Sequence, residues 1–215
     1  MYARPSDRVD HEDVALEILG SASIVHLVSS GSAGFEVTSL PVVVDRESGR
    51  LAGHIARANS HWRELDGSPV VIIAMASESY VSPSWYRSKH ESGGRVVPTW
   101  NYEAVHVHGV AQLHQDTEWL SDLVRRMTDV HESRRSDGSD RWEVDDAPDD
   151  FIDRHLAAIV GVSVSLDRID AKQKMSANRS VADRAEVIAG LSATEGSSLR
   201  LIDIMSGALD SEPQP

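Results

Sequence analysis

The sequence has 215 residues, 40% hydrophobic and 26% charged, enough for one sizeable core, and it contains no cysteine. That absence excludes disulfides, thiolate catalysis, iron–sulfur clusters and cysteine-bound zinc. Lys and Arg total 21 against 34 Asp and Glu, and the resulting charge of −13 works against an unaided grip on duplex DNA, which needs a basic face.

No apolar run approaches the ~20 residues of a membrane span. Residues 1–8 lack the apolar core of a signal peptide, so a cytoplasmic location is expected. Residues 10–19 read as a short helix with Asp10 as N-cap and Gly20 as its stop. Residues 23–30 and 35–44 are β-rich runs joined by a Gly-Ser-Ala-Gly hairpin signal, and Pro41 breaks the second run or places it at an edge. Further strands are expected over 51–56, 69–75 and 105–113, with a helical turn or two over 59–65. In the last of these strands Val105, Val107, Gly109, Ala111 and Leu113 share one face.

An amphipathic helix follows over 117–131, capped by Asp116. Residues 129–153 hold ten acidic side chains and read as a mobile surface loop in their middle. A helix opening at Pro148 is expected to run to Ile159 and close at Gly161, before a last strand over 162–166. Weaker helical patterns come next, and 210–215 should fray. Short strands with late helices predict an α+β fold, compatible with a small barrel. Residues 1–191 are expected to form one domain and 192–215 a C-terminal helix and tail.

Three segments carry chemistry. At Gly53-His54-Ile55-Ala56-Arg57-Ala58-Asn59-Ser60 a strand runs into a helix start, where free backbone N–H groups, Arg57, Asn59 and Ser60 suit either a phosphate or an ordinary capped turn. Between Tyr80 and Tyr102 lie five of the nine Trp and Tyr residues, which suit a planar heterocycle or an aromatic seam equally well. The third segment, Lys172 to Arg179, is a basic island holding two of only three lysines, read as an anion site or a solvated turn. His106 and His108 share a strand face with metal-ligand spacing and His54 as a possible third member, but no carboxylate signature accompanies them and no metal is expected.

In this order, five segments resemble the PaiB family: Ser39-Leu40-Pro41, Leu51 to Asn59, Ser82-Pro83-Ser84-Trp85-Tyr86, Val97-Pro98-Thr99-Trp100-Asn101-Tyr102 and Lys174 to Arg179. The resemblance implies a split β-barrel, a homodimer with FMN at the subunit interface, and a role as a negative transcriptional regulator. It also implies that His54, Arg57, Ala58, Asn59 and Ser60 hold the phosphate end. Ser82, Trp100 and Asn101 would lie along the ring, with Lys174, Ser176 and Asn178 completing the site. The chain departs from the family pattern at Ser39, where histidine is usual, at Gln173, where tryptophan is usual, and at Ala171 and Ala177.

The same barrel hosts pyridoxamine-phosphate oxidases, flavin reductases and haem-degrading enzymes, so an FMN-dependent oxidoreductase or haem-degrading relative is the alternative function. No catalytic residue is identified. Direct DNA binding through a helix-turn-helix is not expected, because the two late helices are separated by a long acidic stretch. Tyr80, Trp85, Tyr86, Trp100 and Tyr102 are the expected anchors of the dimer.

Overall fold

The computed structural model describes residues 1–32, 34–46, 48–137 and 140–210. In chain order the elements are β1 (Arg8–Val9), α1 (Glu12–Ser21), β2 (Val25–Gly31), β3 (Gly34–Leu40), β4 (Val42–Asp45), β5 (Arg50–Ala56) and β6 (Pro69–Val81). They continue with α2 (Ser88–Glu91), β7 (Thr99–His114), α3 (Thr117–Glu132), α4 (Asp149–Ala157), β8 (Ile159–Ser165), β9 (Arg168–Lys174), α5 (Val181–Ser192) and α6 (Leu199–Asp210). This is an α+β, split-barrel arrangement built on antiparallel pairing. Two compact units divide it: a sheet unit of Ser23–Ala74 with His106–Ile169, and a helix-rich unit of Met1–Ala22, Met75–Val105 and Asp170–Pro215. No helix among the described residues is long and apolar enough to cross a membrane.

In the sheet unit the strand order is β3-β2-β6-β7-β8-β5-β4. The β2–β3 hairpin closes at Gly31 opposite Gly34. Pro41 cannot donate to a ladder, and it falls in the gap between β3 and β4. On β7 the alternation places Val105, Val107, Gly109 and Ala111 inward, with Val110 and Gln112 outward. Helix α3 starts where Asp116 Oδ1 accepts the Trp119 N–H at 3.0 Å, and it covers Val43 and Ala52 with Leu123 and Met127. The Trp119 ring stacks on His114 at 3.8 Å, and it occupies the space a Cβ on Gly161 would need, 2.2 Å away. Glycine at 161 is therefore a packing requirement of β8 and not a helix stop.

That requirement corrects the expected helix over 148–159. Helix α4 ends at Ala157, and Ile159 opens β8 opposite Ala56 of β5. The β-branched Ile159, Val160, Val162 and Val164 suit a strand that neighbours cover on both sides. Two further differences concern extent: β6 continues to Val81, and β7 begins as early as Thr99. Helix α1 also runs past Gly20 to Ser21, with His11 and not Asp10 at its N-cap. The tail expected to fray lies, beyond Asp210, outside the described residues.

In the helix-rich unit β9 pairs with β1, Arg8 opposite Lys172, and with β7. Its core gathers Val81, Tyr86, Met175, Val187, Leu191, Leu201 and Met205. Trp85 lies flat against Gly190 of α5, where an added Cβ would stand 2.3 Å from the ring. The glycine admits the indole and docks the residues 83–85 turn onto α5.

Three histidines of the sheet unit are held below the ordinary imidazole value. Burial does this to His54, to His61 against the pull of Glu36 and Glu64, and to His114 with help from the Arg50 charge. Because their folded pKa values lie below the unfolded value of about 6.5, the unfolded chain takes up protons first as pH falls. The stability they contribute is complete above that value and is lost as pH drops through the folded values. Urea unfolding should therefore show stability falling from pH 7 to pH 5, and falling less in a His61→Gln protein. A flat wild-type profile over that range would contradict this account.

Candidate functional site

At the end of β5 the chain turns into a short 3-10 helix, Ser60–Glu64. Asn59 caps it: its Oδ1 accepts the His61 N–H at 3.0 Å, and its Nδ2 donates to Thr38 Oγ1 at 3.0 Å. The buried His61 ring is fixed on both sides, by Thr38 at Nδ1 (2.7 Å) and by Ser29 at Nε2 (2.8 Å). The turn is therefore held by a satisfied polar network reaching into β2 and β3. Asn59 belongs to that network, so its side chain braces the turn.

Arg57 sits just before the turn. Its Nε donates to Ala157 O at 2.9 Å, one terminal nitrogen to Ile159 O at 3.0 Å, and the other to Gln115 Oε1 at 2.8 Å. Every one of these acceptors is neutral. The guanidinium is positioned rigidly by the α4–β8 junction while its charge stays free of any carboxylate among the described residues. The backbone N–H groups of Ala58 and Ser60 take no partner among the described residues, and both residues are exposed. A fixed cation beside two open N–H donors is a set that fits a phosphate dianion.

His54 does not join this set. Its ring lines a different pocket, against α3, together with Met127, Thr128 and Trp142.

The remaining predicted residues lie in the helix-rich unit. Lys174 Nζ donates to Trp100 O at 2.8 Å and to Thr99 Oγ1, again neutral acceptors. Burial, with the Lys172 ammonium beside it, holds the Lys174 amine below the ordinary lysine value. Both ammonium groups approach the Tyr102 ring, at 5.1 Å for Lys172 and 5.8 Å for Lys174. Two cations and an indole thus share one end of β7. Trp100 is 51% exposed and meets the half-exposed Tyr80 edge to face, with centroids 5.7 Å apart.

Asn101 and Ser176 are buried and bonded to each other, Ser176 Oγ donating to Asn101 Oδ1 at 3.0 Å, while Asn101 Nδ2 reaches Met205 Sδ at 3.3 Å. Ser176 adopts φ 57°, the left-handed region that a non-glycine residue enters at a cost of order 1 kcal/mol. Ser82 pairs with Ser84 at 2.7 Å and caps the 83–85 turn, and Asn178 is exposed.

The aromatic cluster therefore divides by role. Tyr86 is core at 1% exposure, Trp85 packs on α5, and Tyr102 lies beneath two lysines, which leaves Tyr80 and Trp100 as the open rings. Sequence reasoning placed Lys172 in the basic island but did not bring it, or Thr99, together with Lys174 as the structure does. The signal was present in the lysines' spacing of two, which puts them on one face of a strand.

Residues 1–168 match the protein family described as "Putative FMN-binding domain". An uncharacterized protein of Aspergillus fumigatus is 34% identical over 153 residues, covering 65% of this chain, which in turn spans only 58% of that protein's length. Protease synthase and sporulation protein PAI 2 of Bacillus subtilis is 30% identical over 154 residues, with 70% of each chain covered. Among solved structures, the FAD and haem binding protein from Mycobacterium smegmatis superposes with a TM-score of 0.55 at 14% identity, over 78% of this chain and 73% of that one. At that identity the likeness speaks for the fold. The sequence matches, the split-barrel fold and a phosphate-suited turn agree, and the chain belongs to the FMN-binding domain family that includes the PaiB relative.

Proposed function

We propose that this chain is a dimeric FMN-binding protein whose regulatory output depends on flavin or a partner and not on gripping DNA. The observation that carries the flavin assignment is Arg57, a guanidinium held by three neutral acceptors beside the open N–H groups of Ala58 and Ser60. In this reading Arg57, Ala58 and Ser60 receive the phosphate, and Asn59 keeps the turn in shape. In the helix-rich unit the exposed Trp100 ring and the Lys174 ammonium are the groups suited to a flavin ring and its electron-rich edge. Asn101 and Ser176 hold that end of β7 in place from behind. FMN, when bound, supplies the redox chemistry itself.

The surface supports the homodimer reading. Phe35 and Val37 stand on one face of the edge strand β3 and are 83% and 60% exposed. Phe35 continues into an apolar groove with Val28, Val70 and Val110. A flat, apolar sheet edge left in water is an association site, and a second copy of the chain is the occupant proposed. The exposed Tyr80 and Trp100 supply further anchors.

DNA gripping is disfavoured by charge placement. The groove between α3 and α4 is lined by Glu118, Asp122, Asp145, Asp149 and Asp153, with Arg125 as its only cation among the described residues. Asp145 already takes the Arg125 guanidinium at 2.5 Å. Phosphates approaching either helix meet like charge.

Each element has its own test. Arg57→Ala should weaken FMN by about ten- to a hundredfold, the worth of a charge-assisted bond, and leave riboflavin affinity nearly unchanged. Equal losses for both would show a structural role only. Light scattering at micromolar concentration should return twice the chain mass, and a monomeric mass would rule out the dimer. In a mobility-shift assay at ~150 mM salt, the pure protein should show no submicromolar, sequence-specific binding to its own promoter region, and such binding would defeat the charge argument.

A further inference from the structure

The phosphate-suited turn has a further member beyond Ser60. Within the 3-10 helix the half-buried indole of Trp62 folds back over the residues that precede it, and its Nε1–H donates to Arg57 O at 3.0 Å. The helix that carries the indole is pinned on both sides of it. His61 is bonded into β2 and β3, and the Leu65 N–H closes on Trp62 O at 3.2 Å.

The indole bond decides which way one peptide faces. The peptide between Arg57 and Ala58 is trans, so its carbonyl and its N–H point in opposite directions. With Arg57 O turned to the indole, the Ala58 N–H is turned away from it and left open. The neighbouring donors are committed: the Arg57 N–H goes to Ala158 O at 2.8 Å and the Asn59 N–H to Ala56 O at 2.9 Å. A carbonyl that accepts a bond also polarises its own peptide, which strengthens the N–H on the far side as a donor. The indole thus orients and sharpens one of the two N–H groups that the turn offers to an anion.

The same ring bears on the charge. The Arg57 guanidinium carbon lies 5.9 Å from the centroid of the Trp62 ring, within cation–π reach. The exposed Arg63 packs on that ring too, its guanidinium carbon 5.7 Å away, and helps to hold the indole in place. Residue 62 therefore touches the two features that suit the turn to a phosphate, the fixed cation and the open donor.

We propose that Trp62 is a positioning residue of the phosphate end: its N–H sets the Ala58 donor, its ring steadies Arg57, and together they give the turn its preference for a flavin that carries a phosphate. This inference rests on the assignment of the turn to the FMN phosphate.

The test compares FMN with riboflavin on the full chain. Trp62→Phe keeps a ring and removes the N–H. It should weaken FMN about three- to tenfold, the worth of one neutral hydrogen bond, and leave riboflavin nearly unchanged. Equal losses for both flavins, or an undiminished preference for FMN, would overturn the proposal. Proton–nitrogen spectra of the wild-type protein provide a second measurement that does not depend on the variant's folding. On titration with inorganic phosphate, the Ala58 amide and the Trp62 indole N–H should shift along one binding curve. An indole resonance that stays in place while Ala58 shifts, or an Ala58 amide that phosphate leaves unmoved, counts against the proposal with equal force. Arg57→Ala separates this inference from the reading beneath it. If that variant loses the preference for FMN and Trp62→Phe keeps it, the phosphate assignment stands and the role of Trp62 falls. If the wild-type protein shows no preference for FMN over riboflavin, both fall.

Discussion

The guanidinium of Arg57 is the joint on which the sheet unit turns. Two of its three bonds tie the end of β5 to the carbonyls of Ala157 and Ile159, the residues that flank the change from α4 to β8. A helix C-terminus presents carbonyls with no partner of their own, and a cation there also meets the negative end of the helix dipole. The same contact therefore caps α4, starts β8 in register with β5, and fixes a positive charge at the β5 turn. Neutral acceptors constrain the side chain without cancelling its charge. A carboxylate in their place would hold the arginine as firmly and leave nothing to attract an anion.

Cations elsewhere in this acidic chain follow two patterns. Arg125, Arg126 and Arg135 are paired with carboxylates on or near α3, exposed contacts worth little each, about 0–1 kcal/mol. Lys172 and Lys174 are instead held against a ring and backbone carbonyls. Positive charge held by neutral groups is thus present at the β5 turn in one unit and at the start of β7 in the other.

Local signals were the legible ones. The Asp116 cap, the stripe of α3, the alternation along β7 and the break at Pro41 each depend on residues within a turn or two of one another. The phosphate-suited turn was legible for the same reason, since Arg57 to Ser60 are contiguous. What the sequence hid depends on distant partners. Strand β9 reads as polar because Lys172, Gln173 and Lys174 are satisfied by Tyr2, Glu103 and Thr99, residues at least 70 positions away. Trp85 looked like a wall for a heterocycle because nothing near it in sequence announces Gly190. His54, contiguous with the turn, belongs to another pocket because its strand position sends the ring toward α3, as with Ala52 two residues before.

Gln173 shows how a departure from the family pattern is absorbed. Glu103 is fully buried on β7 and takes two bonds from Arg200 of α6, at 2.6 and 3.2 Å, which also reaches Glu17 at 3.0 Å. Gln173 Nε2 adds a third donor to that carboxylate at 2.9 Å. Buried ion pairs contribute little net stability, but a buried carboxylate that loses one donor is left with a large uncompensated desolvation cost. A ring at 173 would bring apolar area and no donor reaching Glu103 from this direction, unless its single N–H happened to point there. An amide brings less area and satisfies the charge. The exchange makes residue 173 part of the clamp that holds α6 on β7, and β7 is the strand that carries Trp100. Position 173 therefore bears on Trp100 through Glu103, by fixing the strand beneath the indole, even where its own side chain lies against a carboxylate.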